Sequence, residues 1–273
     1  MKLNIFTLNW DGENKLKKLA PSLLLATKDL DFHWFIKDNA SKDNSIEYIK
    51  SLNNPNITII PYKDNKQNYS EGMNFLFKES APNDNDLILT LNNDTVIASS
   101  NSIKSMADIM QKEDVGAVGA RLLYSGTNNL QHAGVVFDEN MLAPMHFRAN
   151  QKTDSNAEKN RLFQVVTGAV TLTKAEYFKN VCKNKSGNNG FDEKFIWAFD
   201  DVDFCLSIHY NLQKKIVYCG NTTIYHEESA SLKKNPSNKL FMSHNLNQLR
   251  LKWRDRFIYD RKTYEQFPNY NLY

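Results

Sequence analysis

The run Leu87-Ile-Leu-Thr-Leu91 has the make-up of a strand buried on both faces, and it stops abruptly at three polar side chains, Asn92, Asn93 and Asp94. Strands without a polar face belong to sheets covered by helices on both sides. In open α/β sheets of that kind, ligands sit beyond the carboxyl ends of the strands. Oxygen donors at such a position suit a hard divalent cation that carries a diphosphate. The plain alternative is an Asn/Asp turn that merely ends a strand.

The residues upstream support such a sheet. Leu3 to Leu8, His33 to Ile36 and Ile57 to Pro61 read as strands, and polar helical stretches lie around Lys15 to Thr27, Ser45 to Leu52 and Glu71 to Glu79. This alternation predicts a mostly parallel sheet with helices on both faces. Asp43-Asn-Ser-Ile-Glu47 supplies small polar caps followed by an acid, a helix start. A length of 273 residues accommodates one large domain or a domain with a small appendage, and 41% hydrophobic content supplies a core. With 34 basic and 31 acidic residues the formal net charge is +3, so charge-driven nucleic-acid binding is not the leading reading. Cys182, Cys205 and Cys219 lack metal-ligand spacing and leave an odd thiol, which fits a reducing cytoplasm. Met1 to Asp11 reads as a first strand rather than a leader. No apolar run reaches the roughly 18 residues of a spanning helix, so the expected protein is soluble or peripherally bound.

Beyond Asp94 the pattern changes. Val115 to Tyr124, His132 to Asp138 and Val165 to Thr173 are strand-like, whereas Asn140 to Asn160 is polar and aperiodic, a long loop of the kind that forms lids. Asp201 to Leu212 has helical periodicity, and Ile216 to Cys219 and Thr222 to His226 read as two short strands. The tail from Pro236 to Tyr273 mixes aromatic and basic residues, among them Arg250, Lys252, Trp253, Arg254, Arg256, Arg261 and Lys262. Such a tail either packs as a helix with a solvated charged face or rests against an anionic membrane.

Several clusters are candidates for chemistry. Asp38, in Asp38-Asn-Ala-Ser-Lys-Asp43, follows the second strand, where a carboxylate can accept from a pyrimidine or a ribose; a cap turn is the plain alternative. Gly72 and Asn74 lie where a helix begins and could let backbone approach a nucleotide. Asp200-Asp201-Val-Asp203 follows the aromatic run Phe195-Ile-Trp-Ala-Phe199. Three crowded carboxylates repel one another and raise at least one pKa, as a general base requires. An acidic helix start answering the macrodipole is the other reading. His226 closes a strand and is placed to complete a cation shell begun by Asp94, with imidazole favouring Mn²⁺ over Mg²⁺.

In order, these pieces resemble the bacterial family 2 glycosyltransferases of GT-A fold, closest to members that build O-antigen, capsule and lipooligosaccharide. They are the opening strand into Asn9, Asp38 to Asp43, Leu91-Asn-Asn-Asp94-Thr, Val115-Gly-Ala-Val-Gly119 and Gln131-His-Ala-Gly134. Thr167-Gly-Ala169, Gly190-Phe-Asp-Glu193, Asp200 to Asp203 and Tyr225-His226 complete the set, over roughly Met1 to Trp253. The resemblance implies one GT-A domain over residues 1–235, with a nucleotide-binding half to about 95 and an acceptor-binding half from 96, then a helical extension over 236–273. It implies that Asp38 contacts the nucleobase beside Leu8 and Asn9. Asp94 and His226 would ligate Mn²⁺ or Mg²⁺, Asn92 would touch ribose or a metal-bound water, and Asn93, Gly72 and Asn74 would belong with it to the nucleotide and donor site. Gly168 and Ala169 would line the donor pocket, Trp197 and Asp203 would face the acceptor, and Asp201, paired with Asp200, would be the base. Two departures stand out: Asn92 replaces the first acid of the metal motif, and Asp200 replaces the usual Glu of the Glu-Asp pair.

The implied reaction is inverting transfer of a sugar from a UDP- or dTDP-linked donor to a hydroxyl of a glycan or lipid-linked acceptor, in the cytoplasm or at the inner membrane face. A silent nucleotide-sugar-binding protein on the same fold is the alternative. A dinucleotide enzyme is disfavoured because Asn9-Trp-Asp-Gly-Glu-Asn14 lacks the Gly-X-Gly-X-X-Gly turn, and no phosphate-binding P-loop sequence occurs.

Overall fold

Four parallel strands carry the amino-terminal part: β1 (Leu3–Asn9) lies between β2 (Phe32–Asp38) and β4 (Leu87–Leu91), and β3 (Ile57–Pro61) borders β2. The computed structural model describes residues 1–65, 67–181, 190–227, 238–267 and 269–271. All five residues of β4 are buried, as its uninterrupted apolar run requires. Side chains alternate between two layers. Leu3, Ile5 and Leu89 pack with Leu16, Leu19 and Leu23 of α1 (Glu13–Ala26), and Phe6 and Ile88 pack with Met73 and Leu76 of α3 (Tyr69–Ser80). α3 starts with a reciprocal capping box, in which Asn68 accepts from the Glu71 amide and Glu71 accepts from that of Asn68. At α2 (Ser45–Ser51) the expected cap residue Asn44 makes no side-chain cap; Asp43 instead accepts from the amides of Ser45, at 3.1 Å, and of Glu13, at 2.8 Å.

The chain continues through β5 (Thr95–Ile97), α4 (Ser102–Met110), β6 (Val115–Tyr124), β7 (Leu130–His132), β8 (Val135–Asp138), β9 (Ala143–His146), β10 (Arg161–Phe163) and β11 (Val170–Lys174). Then come α5 (Ala175–Val181), α6 (Asp200–Leu212), β12 (Lys215–His226), α7 (Asn238–Trp253), a 3-10 turn at Arg254–Arg256 and α8 (Arg261–Gln266). The ten-stranded sheet runs β10-β12-β6-β11-β4-β1-β2-β3, with β5 on β12 and β7 on β6. β11 is antiparallel to both β4 and β6, so its first residues meet the last residues of β4 at one edge. This is the mixed, mostly parallel sheet flanked by helices that the alternation predicts.

Three expectations need correction. The stretch expected as an open loop from Asn140 to Asn160 contains β9, paired with β8, and is pinned by Arg148 to Asp154 and by Tyr218 to the Ala157 carbonyl. The two short strands expected near the end form one strand, β12, with an irregularity between Cys219 and Ile224. Of the run from Val165 to Thr173, only the last part enters the sheet; Val165 forms an isolated bridge to Val135. Cys205 and Cys219 are buried free thiols, Cys182 lies outside the described residues, and so does the 235/236 boundary. Among the described residues no helix is long and apolar enough to cross a membrane.

The tail packs against the domain. Trp253 is buried, Arg250 donates to the carbonyls of Met141 and Leu142, Lys252 pairs with Asp192 and Asp203, and Arg261 pairs with Asp138. Most of the basic residues named from the sequence are thus engaged within the fold. Ahead of α8, the buried Asp260 accepts from the Phe137 amide and from Gln164. Burial outweighs those bonds and pushes its carboxyl up to about 6, from 3.8. The native state therefore binds this proton more tightly than the unfolded chain. That contribution is complete below about pH 4 and is lost as pH rises through about 6. Asp260→Asn is expected to gain roughly 2–3 kcal/mol on the wild type between pH 4 and pH 7, read from urea unfolding at both pH values. Parallel pH curves for the two proteins would refute it.

Candidate active site

The carboxyl ends of β1, β2 and β4 are tied together by side chains. Asn93 donates to Asn9 at 2.9 Å, Asn9 donates to Asp38 at 2.8 Å, and the Ser41 hydroxyl donates to the same Asp38 oxygen at 2.6 Å. The second Asp38 oxygen accepts from the Ser41 amide at 2.9 Å. Asp38 is fully buried. In this arrangement it locks the ends of β1 and β2 together, at the position expected to meet the nucleobase. Gly12 permits the junction, since a Cβ there would come within 2.6 Å of the Asn93 amide nitrogen.

Asp94 lies just beyond β4, immediately before β5, and β5 is laddered to the end of β12 with Thr95 opposite His226. This register brings the imidazole Nε2 to 3.1 Å from Asp94 Oδ1 and 3.3 Å from the Asn92 amide. The other ring nitrogen, Nδ1, lies 2.7 Å from Gln131 Oε1. The contact at Nδ1 orients the ring so that Nε2 faces Asp94. Lys15, in the first turn of α1, places its ammonium 3.3 Å from the second Asp94 oxygen. Burial alone would raise the Asp94 pKa, but the bonds from His226 and Lys15 prevail and hold it below the usual range.

Asp201 sits in the first turn of α6. One oxygen accepts from the Gly168 amide at 2.8 Å and the other from the Val202 amide at 2.8 Å. The Gly168 carbonyl accepts from Tyr69 at 3.0 Å, and the adjacent Ala169 carbonyl accepts from the Asn92 amide at 2.9 Å. A continuous hydrogen-bonded strip therefore leads from Asp201 through Gly168 and Ala169 to Asn92, with Asp94 and His226 at its far end. Desolvation and the neighbouring Asp201 carboxylate push Asp200 well above the ordinary range. Asp200 is thus held toward its neutral form.

The remaining expected residues have other tasks. Gly72 lets α3 approach β1, since a Cβ there would lie 2.7 Å from Leu8 Cδ1. Asn74 uses both ends of its amide on Phe191 and also bonds Glu193, which fastens the Gly190 to Glu193 segment. Asp203 is buried, bonded to Trp253 at 2.6 Å and to Lys252, so it faces the tail rather than an acceptor. Trp197 is half-buried, with its carbonyl bonded to Asn245.

The family model for Glycosyl transferase family 2 matches residues 5–181, well over half of the chain. The chain belongs to glycosyl transferase family 2. The O-antigen biosynthesis protein RfbC of Myxococcus xanthus is 29% identical over 238 residues, 84% of this chain and 18% of that protein. The chain spans only 18% and 24% of the lengths of two curated relatives it matches. The crystal structure of GalNAc-T7 with UDP, GalNAc and Mn²⁺ aligns with a TM-score of 0.64 at 11% identity, over 85% of this chain and 44% of that one. The mannosyltransferase PcManGT from Pyrobaculum calidifontis, with GDP-Man and Mn²⁺, gives 0.59 at 10% identity, over 84% and 57%. These likenesses identify the fold as GT-A.

The family 2 match ends before Asp200, Asp201 and His226, so those positions stand on their geometry. A divalent cation fits the donor set at Asp94. Metal–oxygen bonds of about 2.1 Å at right angles set neighbouring ligands about 3 Å apart, and Asp94 Oδ1 and His226 Nε2 are separated by 3.1 Å. Among the described residues no third His, Cys, Asp or Glu joins them, so Asp94 and His226 are the two residues that would hold such an ion. Sequence reasoning assigned no role to Lys15, Gln131, Ser41 or Tyr69. Gln131 stood in the quoted Gln131-His-Ala-Gly134 motif, and its partner could be found only from the β6–β7 and β6–β12 ladders.

Proposed function

We propose that this family 2 enzyme moves a sugar, with inversion, from a UDP- or dTDP-linked donor to a hydroxyl of a growing surface glycan or lipid-linked saccharide, on the cytoplasmic side of the membrane. The observation that carries this reading is the strip joining Asp201 to the Asp94–His226 pair. Asp201 takes the proton of the acceptor hydroxyl, and that oxygen forms the new bond to the anomeric carbon from the face opposite the diphosphate. The bond from the anomeric carbon to the phosphate oxygen breaks, and the nucleoside diphosphate leaves with the electron pair. A Mn²⁺ or Mg²⁺ ion held by Asp94 and His226 supplies neutralisation of the charge on that leaving group. Lys15 contributes a fixed positive charge at the same end.

Relatives support the donor class: structural neighbours are complexes with UDP and Mn²⁺ and with GDP-Man and Mn²⁺. The O-antigen function of RfbC supports the acceptor class. Asn92 in place of an acid favours a second reading, a non-catalytic nucleotide-sugar binder. A thermal-shift panel of UDP-galactose, UDP-N-acetylglucosamine, dTDP-rhamnose and GDP-mannose, with and without Mn²⁺, tests the donor class. One donor is expected to raise Tm only with Mn²⁺, and Asp94→Ala is expected to abolish that shift. Metal-dependent stabilisation without release of nucleoside diphosphate would select the second reading, and no stabilisation by any donor would defeat both.

A further inference from the structure

We infer that Asn245, on the tail helix α7, is a positioning residue for Asp201; the inference rests on the reading of Asp201 as the base. The two residues that deliver α6 to the site, Ala198 and Phe199, are consecutive non-glycine residues in the left-handed region, with φ of +62° and +65°. An L side chain is strained in that region, so surrounding contacts must hold the turn. Phe199 itself provides no side-chain cap for α6.

The holding group comes from α7. Asn245 is fully buried, and its amide nitrogen donates to the carbonyls of Trp197, at 2.6 Å, and Ala198, at 3.1 Å. Two helical turns further along, Trp253 and Lys252 bind Asp203. The tail therefore grips the chain on both sides of Asp201, while Gly168 holds its carboxylate from across the site. The Asn245 Oδ1 atom is buried with no hydrogen-bond partner among the described residues. An unsatisfied buried acceptor is destabilising, so packing alone would favour a leucine here. What the amide supplies is its pair of N–H donors.

The test uses the full chain with Asn245→Leu, which fills the volume without the donors. Turnover is read as nucleoside diphosphate released from the donor that gives the largest Mn²⁺-dependent thermal shift in the panel. A fall in kcat of tenfold or more is expected, with donor KM within about twofold and Tm retained. Added to Asp201→Asn, the same substitution is expected to cause no further loss, because both act through one carboxylate. Hydrogen exchange is expected to quicken in residues 197–203 and not in the central strands. Asn245→Ser, which keeps one donor, serves if the leucine variant does not fold, and an intermediate kcat is expected of it. Wild-type kcat in these variants, an equal further loss on top of Asp201→Asn, or unchanged exchange in 197–203 overturns the inference. Full activity in Asp201→Asn alone overturns the base assignment instead, and the exchange data still decide whether Asn245 holds the turn.

Discussion

Asp201→Asn is expected to lower transfer by about 10²–10⁴-fold while donor binding with Mn²⁺ stays measurable. The substitution keeps size and shape, and its carbonyl oxygen still accepts the Gly168 amide that Asp201 holds at 2.8 Å. It removes the negative charge, the ability to take a proton and the acceptor for the Val202 amide. The sharper result comes from the neighbour. Asp200 is pushed well above the ordinary carboxyl range by desolvation and by Asp201, which favours its neutral form. Asp200→Asn imitates that protonated state and is expected to retain most of the activity at pH 7. As pH climbs through the raised Asp200 pKa, the wild type acquires a second negative charge beside the base and the variant does not, so their pH profiles separate on the alkaline side. Initial rates for both variants across pH 6–9 provide the check. Equal losses at the two positions would reject the division of labour.

Trp253→Ala is expected to destabilise the protein by about 3–5 kcal/mol. Trp253 is 4% exposed, stacks on Tyr210 with ring centroids 5.7 Å apart, and donates its indole N–H to Asp203. Truncation leaves a cavity and removes one of the bonds that offset the buried Asp203 carboxyl, whose pKa burial already raises. Arg254, one residue on, is paired among the described residues with the exposed Asp255, and Arg254→Ala is expected to change stability by less than about 0.5 kcal/mol. Urea unfolding of the two variants makes the comparison. A loss at Trp253 no larger than that at Arg254 would mean the tail is not part of the folded core.

The parallel part of the sheet was legible because β4 is a nearly continuous apolar run, and a strand buried on both faces leaves that trace whatever its neighbours. The separation of β8 from β9 and the continuity of β12 were not, because both depend on partners distant in the chain. The candidate site divides in the same way. Asp94, Asp201 and His226 end or begin elements and so stood out by type and place. Lys15 is one of three lysines in Lys15-Leu-Lys-Lys18, and nothing local distinguishes the one that reaches Asp94. Asn74, Gly72 and Asp203 were read toward ligands because polar or small residues near strand and helix ends have that default meaning. In the fold Asn74 fastens the Gly190 to Glu193 segment, Gly72 makes room for Leu8, and Asp203 binds Trp253 and Lys252.

One sheet runs without interruption beneath both the segment up to Asp94 and the segment after it, since β11 lies between β4 and β6 and β5 is paired with β12. A chimera joined at residue 95 would exchange half of an interleaved ladder, so specificity is better re-engineered by grafting surface segments than by swapping halves. The same continuity denies the protein a hinge line between those segments. Any selectivity among substrates has to be written in the side chains and short connections at one rim of a rigid plate.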